Sequence, residues 1–198
     1  MPLEATLPLV QTYPVDIVRS FDRRDLATPS EAELERGEAE GLFANHDYFD
    51  LRGASWSDVA NIVAREAALI VRFEAAADLE EIAEQIDEER ADGDAVEDDF
   101  LRLDVGVAGA TAALSAMGAV PVSSCNAGGF GGFHSAPFPQ VIFYIAPAAA
   151  PEVLDLATSA DVGLDIVADG MGRLFGRTDY DLHSFALTAL ERSGTGPA

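Results

Sequence analysis

From Val105-Gly106-Val107-Ala108-Gly109-Ala110, through Gln140-Val141-Ile142-Phe143-Tyr144-Ile145, to Pro151, the chain carries no Asp, Glu, Lys or Arg. In an otherwise highly charged sequence, so long an uncharged stretch is the buried centre of a fold. Residues 103–117 are rich in Ala and Leu and run into Gly118, which reads as a helix closed by a glycine cap. Ala119–Ser124 and Gln140–Ala146 read as strands. The unbroken apolar run Val141–Ile145 is that of a strand covered on both faces. The 18 residues Val105–Val122 approach the length of a membrane span. They are mostly Ala, Gly and Ser, and Gly118 and Pro121 interrupt them, so a soluble buried helix followed by a strand is expected and no membrane.

Downstream, Pro151 opens a helix with Val153, Leu154 and Leu156 facing inward. Val162–Ala168 and Gly172–Arg177 read as a hairpin turned at Asp169-Gly170, and Tyr180–Arg192 as a closing amphipathic helix. Upstream, Ser55-x-x-Asp58 is a capping box that opens a helix with Val59, Ile62, Val63 and Ala67 on one face. Leu69–Phe73 fits either a strand or the continuation of that helix. Asp78 caps a further helix carrying Leu79, Ile82, Ala83 and Ile86. The expected fold is α/β or α+β, a single compact domain with a mixed or largely antiparallel sheet and the C-terminal order α-β-loop-β-α-β-β-α. Residues 54–198 would form the α/β domain. Residues 1–53 would be an irregular N-terminal extension with a short strand at Val15-Asp16-Ile17-Val18, the whole being one folding unit.

The 198 residues hold 35 acidic side chains against 12 basic ones, all of them arginine. The absence of lysine removes the Walker A phosphate loop, Schiff-base and pyridoxal chemistry, and a lysine general base. A net charge of −23 with scattered arginines argues against direct nucleic-acid binding. Residues 74–104 are the acidic centre of mass, with 14 acidic residues and two arginines. Such a tract reads as a solvated face, as a surface for a basic protein partner, or as adaptation to high salt. A single cysteine, Cys125, excludes an intrachain disulfide. Met1-Pro2-Leu3-Glu4 lacks the basic and apolar regions of a secretory signal. Together these lead to the expectation of a cytoplasmic protein.

The strongest candidate site is Ser123-Ser124-Cys125-Asn126-Ala127-Gly128-Gly129-Phe130-Gly131-Gly132-Phe133-His134, a glycine-rich segment joining two core strands. Its four glycines, cysteine and histidine add little to packing. A small-molecule-binding, hydrolytic site would use Cys125 or Ser124 as nucleophile (Ser123 being a further candidate) and His134 as acid/base. Gly128 and Gly129 would supply anion-holding amides, and Ser123 and Asn126 would contact the ligand. The bland alternative is a turn in which Cys125 is a small buried hydrophobe. The segment has no Gly-x-Ser-x-Gly elbow and no cysteine-protease signature. The alternative function is a non-enzymatic acidic or immunity-type protein that binds a cationic partner through residues 74–104.

Other constellations are weaker. A metal could draw on Cys125 and His134 with His46 or His183 and an aspartate, but no two histidines stand at helical ligand spacing, so no metal or other cofactor is expected. His46-Asp47-Tyr48-Phe49-Asp50 could lend an acid–base pair to the loop, and reads better as an aromatic plug with Trp56. Gly170-x-Gly172-x-x-x-Gly176 lies on the return strand of a hairpin, not at a helix start, so it is no dinucleotide fingerprint.

Overall fold

The computed structural model describes residues 10–32, 53–92, 103–131 and 136–195. His46, Asp47–Asp50 and His134 lie outside these. Along the chain come β1 (Arg19–Ser20), α1 (Trp56–Ala75), α2 (Leu79–Asp92), α3 (Ala108–Ala116) and β2 (Val120–Cys125). They are followed by β3 (Gln140–Tyr144), α4 (Ala150–Ser159), β4 (Gly163–Ile166), β5 (Gly172–Phe175) and α5 (Asp181–Ser193). The fold is α+β, with a five-stranded mixed sheet in the order β1-β4-β5-β3-β2. Only the β1–β4 pair is parallel. From α3 onward the order is the one expected, α-β-loop-β-α-β-β-α.

Local chemistry accounts for most of the boundaries. Ser55 and Asp58 form the reciprocal capping box of α1. The Asp78 carboxylate accepts the N–H groups of Glu80 and Glu81 at the start of α2. Gly118 closes α3 at φ 85°. The β4–β5 hairpin turns where Asp169 (φ 63°) and Gly170 (φ 74°) both take the left-handed conformation, which Asp-Gly accommodates at low cost. Leu69–Phe73 continues α1 rather than forming a strand, because Ile70 and Phe73 extend the buried stripe begun by Val59 and Val63. The extended stretch ahead of α1 pairs with β4 at Arg19 and Ser20, just beyond Val15–Val18.

Leu164, Leu174 and Val141 lie side by side on adjacent strands. They join one core with Ala113, Leu114, Phe185 and Leu190 from α3 and α5. Within the sheet, large and small residues interlock, Phe143 over Gly172 and Phe175 over Gly163. A second cluster, Ile70, Phe73, Ile86, Val105 and Phe130, ties α1 and α2 to the segment after β2.

One charged residue sits within this packing. Glu66 continues the stripe of α1 and is completely buried. The N-cap of α3 is Val107, which offers no side-chain bond. Glu66 takes that role from another helix. Its Oε1 accepts the N–H groups of Gly106 and Ala108 at 2.9 Å each, and its Oε2 accepts that of Gly109 at 3.2 Å. The Nδ1 of His183, on α5, lies 2.6 Å from Oε2. A Cβ on Gly109 would come within 2.7 Å of that same oxygen, so only glycine permits the approach. Glu66→Gln would leave an acceptor for only part of the constellation and turn an amide NH2 toward one of its N–H donors, such as that of Gly109. It is expected to destabilise the fold by about 2–4 kcal/mol, measured by urea denaturation; a loss under about 0.5 kcal/mol would show that the network contributes little.

Candidate functional site

The glycine-rich segment begins where β2 ends. Cys125 pairs with Gln140 and Ser124 with Val141, while the register slips between Pro121 and Ser123. Side chains on a strand alternate between faces. Ser124 therefore shares the face of Val141, Leu174 and Leu164, the face that packs on the helices. Cys125 falls on the opposite face with Gln140, and Ser123 with Ile142. The two leading candidate nucleophiles thus point to different sides of the sheet.

Beyond Cys125 the chain makes a tight turn that Asn126 organises. Its buried side chain donates from Nδ2 to the carbonyl of Val105 at 2.9 Å and accepts the Gly128 N–H on Oδ1 at 3.0 Å. The Gly129 N–H points to the Asn126 carbonyl at 3.4 Å. The amides of Gly128 and Gly129 are therefore engaged inside the turn. The Cys125 Sγ accepts the Ala127 N–H at 3.4 Å. Ala127 (φ 59°) and Gly128 (φ 86°) are both left-handed. Phe130 then plugs the loop into the second core, edge-on to Phe73 and Tyr180 with centroids 5.3 and 5.8 Å away.

Under this turn lies a carboxyl group that sequence reasoning missed. Asp179, 2% exposed, sits so close to Gly129 that a Cβ there would fall 1.9 Å from Asp179 Oδ1. The Tyr13 hydroxyl donates to that oxygen at 2.8 Å, and the Gln11 N–H donates to Oδ2 at 2.9 Å. The Tyr13 hydroxyl also lies 3.5 Å from the Asn126 carbonyl. Burial first, and then the bond to Asp179, the charge of Asp179 and the neighbouring Cys125, push the Tyr13 phenol above its usual range. Tyr13, Cys125 and Asp179, from three separated segments, thus converge at one turn. No local pattern announces this. Asp179 follows a hairpin and Tyr13 stands among prolines and exposed residues, so neither belongs to a periodic apolar stripe.

Asp104 also reaches the turn, its Oδ2 accepting the Asn126 N–H at 3.4 Å, and Asp181 lies close enough to act on Asp179. His183 is committed to Glu66. Burial, and then a hydrogen bond to Glu74, push the Tyr180 phenol up to about 12. An open groove of about 460 Å³ at the α1–α2 elbow is lined by Arg72, Asp78, Glu81 and Gln85. Its Arg72 is held by both oxygens of Glu89 at 2.8 Å. Among the described residues, no three His, Cys, Asp or Glu are grouped to hold a metal ion, and no helix is long and apolar enough to cross a membrane. No protein-family model, curated protein or solved structure matches this chain.

Burial raises the Asp179 carboxyl above its ordinary value; the bonds from Tyr13 and Gln11 act against the rise, and the charge of Asp181 adds to it. A raised folded-state value means that the folded protein keeps this proton after the unfolded chain has lost it. The group's contribution to stability is then fully present below the unfolded value, about 4, and is lost as pH rises through the folded value. From pH 4 to neutrality the unfolding free energy of the wild type should therefore fall relative to that of Asp179→Asn. Urea denaturation at a series of pH values measures the gap, and parallel curves would refute it.

Proposed function

We propose that this protein binds a small molecule at the end of β2 and hydrolyses it with Cys125 as the nucleophile. The observation that carries this reading is the convergence of Tyr13, Cys125 and Asp179 at a turn rigidly held by Asn126 and Phe130. Convergent polar groups with shifted ionisation, set on a rigid frame, mark binding and catalytic sites more often than ordinary surface. Cys125 forms no disulfide and is partly exposed, so its thiol is within reach of a ligand.

In this reading His134, nine residues on, takes the thiol proton as the Cys125 sulfur attacks an acyl carbon, and gives it to the leaving group as the bond from the acyl carbon to that group breaks. Water then releases the acyl group. Ser123, on the face of Cys125, contacts the ligand. Ser124, on the helix side, supports the strand rather than attacking. Asn126, Gly128 and Gly129 act through the shape of the turn, since the Gly128 and Gly129 amides are already bonded to Asn126. With p-nitrophenyl acetate as acyl probe, the wild type should release nitrophenolate in a burst that Cys125→Ala abolishes and His134→Ala slows by about 10²-fold or more. A burst that survives Cys125→Ala, or no burst from the wild type, refutes the assignment.

A second reading has its own observation. Glu80, Glu81, Glu84, Asp87 and Glu88 on α2 are all exposed. A face this acidic suits a cationic protein partner, bound through long-range attraction that salt screens. Capture of a polyarginine probe should fall at least tenfold between low salt and about 0.5 M, where the Debye length shrinks to a few ångströms. It should fall similarly when Glu80, Glu81, Glu84 and Asp87 are neutralised together. Capture unchanged by that neutralisation removes α2 as the surface.

A further inference from the structure

Residues 10–14 lie over the site just described and touch it in an unusual way. Tyr13 is buried, whereas Val10, Gln11, Thr12 and Pro14 on either side are exposed. The segment runs antiparallel to residues 177–179, joined by the Thr12–Thr178 bridge and by the Tyr13 N–H, which donates to the Arg177 carbonyl at 2.7 Å. The other attachments end on the site itself, the Gln11 N–H and the Tyr13 hydroxyl on the two oxygens of Asp179. One phenol and a few bonds to a short stretch hold a covering that is otherwise solvated. Segments with few buried contacts and exposed backbone bonds open locally, well before the whole fold does.

We propose that Gln11–Tyr13 is a releasable strap that covers Asp179 and the Asn126 carbonyl next to Cys125, and that a ligand gains full access to this turn when the strap lifts. This inference rests on the reading of Cys125 as part of a functional site, and it adds how access to that site is controlled. Lifting the strap withdraws both donors from Asp179 and the phenol from the Asn126 carbonyl, leaving an acceptor carboxyl open under the turn and the thiol that precedes it more accessible. The strap is thus an autoinhibitory contact made by the chain upon its own site. A ligand that offers donors to Asp179 replaces the two that leave, so binding and opening favour one another.

The 198-residue chain has one cysteine, so iodoacetamide labelling reports Cys125 alone. Wild-type labelling should be at least tenfold slower than that of the urea-unfolded chain, and insensitive to low urea. Tyr13→Ala should speed it at least tenfold while circular dichroism and the thermal midpoint show a folded protein. In the unmodified protein, the amide hydrogens of Gln11 and Tyr13 should exchange at least a hundredfold faster than those of β3 and β5. Equal labelling of the wild type and folded Tyr13→Ala overturns the strap, as do strap amides that exchange only with global unfolding. If Tyr13→Ala does not fold, the exchange measurement decides alone. Labelling reads exposure and not turnover, so a chain that labels as expected yet releases no nitrophenolate loses the hydrolytic reading and keeps the strap.

Discussion

A helix made almost entirely of Ala, Gly and small polar residues has no side chain with which to satisfy its own first N–H groups. In α3 every residue from Ala108 to Ser115 is buried, so water does not serve them either. The fold answers with a single carboxylate brought from α1. Glu66 gathers the amides of Gly106, Ala108 and Gly109 and takes His183 from α5 as its fourth partner. The attraction between an anion and a helix N-terminus makes the arrangement favourable in a dry setting where an unpaired charge would cost several kcal/mol. It also fixes how α1, α3 and α5 meet, because three helices contribute to one small constellation. The sheet then packs on a helical layer whose geometry is already determined.

The candidate site inherits its rigidity from the same region. Asn126 bonds the carbonyl of Val105, and the amide of Gly106, the next residue, is held by Glu66. A Cβ on Gly106 would meet the Phe130 ring and the Asp179 backbone carbonyl, so the aromatic plug and the backbone of the buried acid approach the chain right next to the residue that the turn holds. The glycines of this segment differ in purpose. Gly128 serves a left-handed turn, whereas Gly129 serves only to leave room for Asp179. Between them they let a carboxyl lie directly beneath a backbone that has almost no side chains of its own.

Much of this was legible in one dimension. The capping box at Ser55, the caps at Asp78 and Gly118 and the Asp-Gly turn are local signals, each enforced by a few neighbouring atoms, and the structure carries each one. The uncharged stretch is buried from Val105 to Ser115 and in most of β3, whereas Gly118, Pro137, Ala146–Ala148 and Pro151 within it are exposed. Glu66 was visible in principle. It stands in line with Val59, Val63, Ile70 and Phe73, and a charge inside an apolar stripe signals a buried partner. The identity of that partner was not visible, since Gly106 and His183 are 40 and 117 residues away. The candidate site divides in the same way. Composition singled out Ser123–His134 through its glycines, cysteine and histidine. Tyr13 and Asp179 carry no such mark.

The sequence by itself determined where charge is excluded and where helices and turns begin and end, and its composition singled out one glycine-rich segment. These follow from burial and from backbone conformations that adjacent residues impose. Only the tertiary structure decided that Cys125 and Ser124 face opposite sides of the sheet, that Asn126 consumes the glycine amides, and that Tyr13 and Asp179 meet under the turn that follows Cys125. Strand pairing and contacts across more than a hundred residues set those relations, and they depend on the whole core closing at once. No short window of residues encodes them.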